Sequence, residues 1–241
     1  MKRIPYGISN FKDLIDKNRY YIDKTKYIEI LEQKDDYQFF IRPRRFGKSL
    51  FLTMMQTYYD INEKDNFDKY FGDLYIGQNK TEQANSYIIL KMSFANVITN
   101  QGKDKIVKSI DKIVSSEVNK CLRSYSDIYN DIVLSEDNYK APFALKYLID
   151  ETILRKKKIM LLIDEYDNFA NNIMVRDKTL YEELVHGDGY IKTLYKGIKE
   201  GTADGVISRI FVTGVSPIML DDITSGANIF TIYANDRDLN C

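Results

Sequence analysis

The sequence has no tryptophan, one histidine, two cysteines and no net charge, with 35 basic residues facing 35 acidic ones. Each shortage removes a class of explanation. Cys121 and Cys241 are too few for a disulfide framework and have no metal-ligand spacing, so a reduced, cytoplasmic setting is expected. A zero charge balance argues against bulk attraction to nucleic acid or to anionic membrane. The longest apolar run, Ile159 to Ile163, is far too short to span a bilayer. The N-terminus, Met1 to Gly7, carries charge without an apolar run behind it, so no secretory signal is read. The lone His186 stands before Gly187 and Gly189 and has no Cys, Ser or carboxylate pattern around it; it reads as a helix-end residue. With tryptophan missing, aromatic packing rests on 19 tyrosines and 12 phenylalanines. No internal repeat or low-complexity linker divides the chain.

What remains is a chain of 241 residues, 44% hydrophobic and 29% charged, which is enough for one sizeable α/β domain. Residues 1–37 read as lead-in helices packed on a core domain that runs from 38 to 241. Asn10 is an N-cap candidate before Phe11, Leu14 and Ile15. Tyr21-Ile22-Asp23-Lys24-Thr25 leads to a second helix; the triplet from Asp23 to Thr25 fits a helix start, or a place near a bound nucleotide. Strands are expected at 38–42, 86–94, 159–163 and 206–212, with a fifth beginning between Ile229 and Tyr233. Steps of three and four from Ile106 to Leu122 mark an amphipathic helix over 103–123. Pro142 opens another that continues to Leu154, and the cations Arg155 to Lys158 suit its C-terminus. A helix over 179–199 is interrupted at Gly187 and Gly189. Residues 218–228 read as a polar loop.

The chemistry concentrates in two stretches. The first is Ile41-Arg42-Pro43-Arg44-Arg45-Phe46-Gly47-Lys48-Ser49-Leu50. An apolar strand, a tight turn, Gly-Lys-Ser and then a helix is the arrangement of a phosphate-binding loop. Backbone N–H groups at a helix N-terminus hold a polyphosphate. Gly47 lets the backbone come close, Lys48 would reach the β/γ phosphates, and the Ser49 hydroxyl would take a position on Mg²⁺. The general pattern has a glycine five residues before Gly47, where this chain has Arg42. An ordinary strand–turn–helix with a basic surface turn also fits these residues.

The second stretch is Ile159-Met160-Leu161-Leu162-Ile163-Asp164-Glu165-Tyr166-Asp167. Five apolar residues without alternation indicate a strand covered on both faces. It ends in two carboxylates, where open α/β sheets bind ligands. Asp164 would hold the metal and Glu165 would polarise the attacking water. Alternatively, Asp-Glu merely caps the next turn. Thr213, at the end of the 206–212 strand, would place a hydroxyl level with Asp164.

Taken together, these stretches resemble the bacterial AAA-ATPase-like family, whose members often carry a PD-(D/E)XK nuclease-like domain after the ATPase domain. The resembling segments are Tyr21 to Thr25, Arg42 to Leu50, Leu162 to Asp167 and Val212 to Pro217. They span nearly the whole chain. In this family the loop usually lacks its first glycine, so Arg42 is no departure from it. The resemblance implies a P-loop NTPase three-layer α/β sandwich with a mainly parallel central sheet. In it, the Walker A and Walker B strands are separated by the Thr213 strand. Lys48 and Ser49 map onto the Walker A lysine and hydroxyl, Asp164 and Glu165 onto Walker B, and Thr213 onto the polar sensor position. Arg44, Arg45, Phe46, Gly47 and Leu50 complete the nucleotide-binding loop. The expected activity is Mg²⁺-ATP binding with slow hydrolysis, coupled to a protein partner or to a missing nuclease-like domain. Nothing in 218–241 resembles a nuclease core, so an ATPase domain ending early is expected. Two other readings stay open. One is a nucleotide-binding or interaction module without turnover. The other is a nucleic-acid module built on Arg44, Arg45 and Arg155 to Lys158, against which the zero net charge weighs. No strong nucleic-acid binding and no membrane association are expected.

Overall fold

The computed structural model describes residues 2–187, 189–217 and 229–234. The expected loop at 218–228 lies outside them. Five strands form the sheet: β1 (Tyr37–Ile41), β2 (Ile88–Ser93), β3 (Ile159–Asp164), β4 (Ile207–Gly214) and β5 (Thr231–Tyr233). Their order is β2-β3-β4-β1-β5, and every pairing is parallel. The strand before the phosphate-loop sequence, β1, and the strand ending in Asp-Glu, β3, are therefore neighbours of β4 and not of each other.

Helices cover both faces. On one side lie α1 (Phe11–Asp16), α2 (Lys26–Glu32), α3 (Lys48–Tyr59), α4 (Phe67–Phe71) and α5 (Tyr75–Gln78). Their apolar side chains share a core with Phe40, Ile89, Met160, Leu162 and Phe211 of the sheet. The other side holds α6 (Lys103–Ser124), α7 (Ser126–Tyr129), α8 (Ala141–Leu154), α9 (Asn168–Arg176), α10 (Lys178–Val185) and α11 (Tyr190–Ala203). They pack with Phe39, Leu90, Ile159, Leu161, Ile163, Ile210 and Val212. The strand period of two explains the division: along β3, alternate residues enter opposite cores, which is why its apolar run is unbroken.

The lead-in is part of the first layer. Asn10 caps α1 by accepting from the Asp13 N–H at 3.1 Å. The Thr53 hydroxyl of α3 accepts from the Phe11 N–H at 3.0 Å and donates to the Ser9 carbonyl at 3.0 Å. Phe11 stacks on Phe71 with ring centroids 5.2 Å apart. The Asp23 triplet is a helix start. Asp23 accepts from the Thr25 N–H and hydroxyl at 2.8 and 2.6 Å and from the Tyr75 N–H of α5 at 2.7 Å. Arg155 caps α8 and bonds the Glu151 carboxylate at 2.6 Å and the Ile128 carbonyl at 2.7 Å. His186 is the C-cap of α10.

The pairing register sets the C-terminal ends of the strands level. Phe40 faces Thr213, Ile41 faces Gly214, Ile163 faces Val212, and Ser93 faces Asp164. The Arg42 N–H continues the ladder to the Gly214 carbonyl at 3.1 Å. The loops after β1, β3 and β4 thus leave the sheet along one edge, where ligands of open α/β sheets bind. Arg209, near the start of β4, pairs with Asp36 at 3.2 Å and with Gln83 at 2.8 Å, away from that edge.

Candidate functional site

The site begins where β1 ends. After Ile41 the chain turns through 42–47 and enters α3 at Lys48. Gly47 has φ +79°, in the left-handed region that a side chain resists, and no side chain caps the helix end it precedes. Beyond the adjoining residues no atom of the chain lies within 4 Å of a Cβ built there, so within the chain the turn conformation, not packing, asks for glycine.

Arg42 stands where the general phosphate-loop pattern has its first glycine. Its side chain does not lie across the loop. The residue is 4% exposed; its guanidinium sits 4.3 Å from the centre of the Phe40 ring and donates to the carbonyls of Ile41, Tyr233 and Ala234 at 2.8, 2.9 and 2.7 Å. It fastens the end of the short edge strand β5 to the first residue of the loop.

Lys48 is nearly buried, and its ammonium donates to the Arg42 and Pro43 carbonyls, both at 2.9 Å. Burial pulls its pKa down, while the carboxylates of Asp164, Asp167 and Glu165 pull it back up. The lysine and the three acids therefore belong to one electrostatic site although more than a hundred residues separate them in sequence. Arg44, Arg45 and Phe46 are exposed. Gly47, Lys48, Ser49 and Leu50 border a cleft of about 530 Å³, with Arg44, Arg45 and Glu165 also on its wall.

At the end of β3, Asp164 is 8% exposed and accepts a hydrogen bond from the Thr213 hydroxyl at 2.5 Å. Thr213 is fully buried. Its hydroxyl orients the Asp164 carboxylate instead of opening onto the cleft. Glu165, the next residue, has φ +52°, and Arg45, which lines the same cleft, has φ +68°. Most other non-glycine residues with positive φ are Asn or Asp, which tolerate that region; Glu and Arg do not. Two strained residues on one cleft wall are the kind of strain that collects at functional sites.

Asp167, two residues beyond Glu165, holds the two turns of this edge together. One of its oxygens accepts from the Val215 and Ser216 N–H groups at 3.1 and 2.6 Å and from the Asn171 amide at 3.1 Å. It clasps the turn after β3 to the turn after β4. Tyr166 reinforces the clasp by donating to the Ser216 carbonyl at 2.5 Å. Gly214 makes this possible, because a Cβ there would run into the Tyr166 ring and stand 2.8 Å from Asp167 Oδ1. A glycine at the end of a buried strand was the available signal.

Among the described residues no group of three or more His, Cys, Asp or Glu side chains stands ready for a metal ion. Mg²⁺ does not ask for one; it keeps several waters and takes one or two carboxylates plus phosphate oxygens. The Ser49 hydroxyl and the Asp164 carboxylate are hard oxygen donors of that kind. No described helix is long and apolar enough to cross a membrane.

Comparison with known proteins gives two matches. A family model described as "Predicted AAA-ATPase" matches residues 5–224. A curated relative, "Uncharacterized protein in vnfD 5'region" of Azotobacter chroococcum mcd 1, is 25% identical over 229 residues. The match covers 94% of this chain and 40% of the relative, so the chain spans about two fifths of that protein's length. No solved structure matches.

Proposed function

The chain belongs to the AAA-ATPase-like family of predicted AAA-ATPases, and on that premise we propose that it is a cytoplasmic Mg²⁺-ATP-binding P-loop unit that hydrolyses ATP slowly. The observation that carries this reading is the convergence of Lys48 with Asp164 and Glu165 at one sheet edge, beneath a helix N-terminus that no side chain caps.

The roles follow from the chemistry of each group. The N-terminus of α3 and the Lys48 ammonium bind the polyphosphate. Lys48 already donates to two loop carbonyls, so it is held across the loop where an anion would meet it. Ser49 and Asp164 would hold Mg²⁺, which neutralises developing charge on the phosphate oxygens. Thr213 keeps the Asp164 carboxylate in place. Glu165 accepts the proton of the attacking water. Arg44 and Arg45 supply positive charge at the mouth of the cleft. Residues 1–37 serve as lead-in helices, and the unit from 38 onward is the ATPase-like domain. Hydrolysis would be read out by a protein partner or by a further domain, and this unit alone would not bind nucleic acid strongly.

Calorimetry with Mg²⁺-ATP on the wild type and on Lys48→Ala tests the reading. Charge-assisted hydrogen bonds are worth about 1.5–3 kcal/mol each, so the variant should bind at least ~100-fold more weakly while its circular dichroism is unchanged. Equal affinity in the two proteins would remove Lys48 from the site. Binding without turnover in the wild type would leave a nucleotide-binding module in place of an ATPase.

A further inference from the structure

Two hollows meet at the phosphate loop. The polar cleft described above shares Arg45, Gly47 and Leu50 with a second hollow of about 350 Å³. This second hollow is apolar in character. Ile4, Tyr20 and Ile22 of the lead-in line it together with Phe46 and Phe51, and Lys24 and Arg45 also border it.

Those apolar side chains are unusually open to solvent. Ile4 is 83% exposed, Ile22 66%, Tyr20 55% and Phe46 47%. Exposed apolar residues scattered singly need no explanation, but several around one hollow do. Ile4, Tyr20, Ile22 and Phe46 contribute little to the fold, because they lie outside both cores, whereas Phe51 packs on the core beside Phe40 and forms the floor they share. They are nonetheless held in place. The Tyr20 N–H donates to the Arg3 carbonyl at 3.0 Å, which ties the 3–5 segment to the 19–22 segment. Asp23 then pins the following turn to α5 through the Tyr75 N–H. The wall is built before any ligand arrives.

A molecule bound in the polar cleft by its phosphates, and continuing past Gly47 and Leu50, would place its next portion in this hollow. A flat heteroaromatic ring suits the volume and the lining. We propose that the lead-in residues Tyr20 and Ile22, with Phe46, seat the nucleobase of the bound nucleotide, and that this slot takes purines with little distinction between adenine and guanine. The inference rests on the phosphate-loop reading and adds the base subsite to it. The selectivity follows from the lining. Apolar walls reward stacking area, so a purine outcompetes a pyrimidine. Apolar walls also do not strongly reject an analogue that differs only in its polar groups, so the exchange of exocyclic groups between adenine and guanine is weakly read.

The test compares four probes, Mg²⁺-ATP, Mg²⁺-GTP, Mg²⁺-CTP and Mg²⁺-tripolyphosphate, by calorimetry on the wild type and on the Tyr20→Ser/Ile22→Ser double variant. Both side chains are more than half exposed, so the variant should fold normally, and circular dichroism checks this. In the wild type, ATP and GTP should bind within ~5-fold of each other and about 10-fold or more tighter than tripolyphosphate, with CTP between. In the variant, ATP and GTP should weaken by ~10-fold towards tripolyphosphate, whose own affinity should not change. Unchanged ATP affinity in the variant, beside intact tripolyphosphate binding, would overturn the base subsite and leave the phosphate loop standing. Strong rejection of GTP by the wild type would overturn the apolar-slot selectivity. A wild type that binds neither ATP nor tripolyphosphate would overturn the phosphate-loop reading itself, and this inference with it.

Discussion

Replacing Glu165 by asparagine should make the protein more stable and less active in the same stroke. Glu165 holds φ at +52°. A left-handed backbone costs an ordinary side chain roughly 1–2 kcal/mol, and asparagine is several-fold enriched in that region, which corresponds to about 1 kcal/mol of relief. Glu165 is only partly buried and its side chain borders open cleft, so the substitution leaves no cavity to offset the gain. For a chain of this size a gain of 1 kcal/mol raises the melting temperature by about 2–4 °C. The amide cannot accept a proton, so hydrolysis should fall by roughly 10²–10⁴-fold. ATP affinity should stay close to wild type, because Lys48 and the α3 N-terminus carry it. Glu165→Gln is the matched control. It should lose hydrolysis to a similar extent and gain no stability, since glutamine is strained at positive φ as glutamate is. Thermal melts without nucleotide, together with single-turnover assays on radiolabelled ATP, separate the two effects. A melting temperature for the asparagine variant at or below wild type would refute the stored-strain argument. Wild-type turnover in either variant would show that Glu165 is not the catalytic carboxylate.

Two other predictions test the frame around the site. Gly214→Ala forces a methyl group against the Tyr166 ring and Asp167, and should cost about 2–3 kcal/mol of stability by overpacking; a chemical melt that matches wild type would show that the clasp between the two turns is loose. Burial raises the pKa of the Tyr125, Tyr129, Tyr166 and Tyr195 phenols well above the ordinary value of 10.0. The unfolded chain therefore gives up these protons first, and stability that is fully present below pH ~10 is lost as the pH climbs past it. Urea midpoints measured between about pH 9 and 11 should fall steadily, and a flat profile would contradict the burial of these rings.

Much of the fold was legible because it is written locally. The unbroken apolar run of β3 and the three-and-four spacing along α6 announce a doubly covered strand and an amphipathic helix without any knowledge of partners. Gly187 and Gly189 mark the break between α10 and α11. Helix α9 was not expected. Its buried residues, Phe169, Ala170 and Ile173, are few, and the asparagines among them are weak helix formers. The parts of the candidate site nearest to motif residues were also legible: Lys48 and Glu165 border one cleft, and Asp164 lies within the electrostatic reach of Lys48. What the sequence could not show was the destination of long side chains. The Arg42 guanidinium reaches carbonyls 191 and 192 residues away, and Asp167 reaches N–H groups 48 and 49 residues on. No local spacing encodes such contacts. The hydroxyl of Thr213 was expected level with Asp164; that it bonds the Asp164 carboxylate depends on the register of β3 against β4.

The Arg42 clasp bears on how the molecule opens. Strand β5 has three residues and, among the described residues, pairs only with β1. A short strand at a sheet edge is ordinarily the first element to fray, at little free-energy cost and without consequence for the interior. Here the carbonyls of Tyr233 and Ala234 are held by Arg42, the first residue of the turn after β1, so fraying of the edge and loosening of that turn are expected to go together. Whatever stills the loop slows the opening of a strand it never touches, and whatever tugs on the chain beyond β5 is felt where the phosphates would lie.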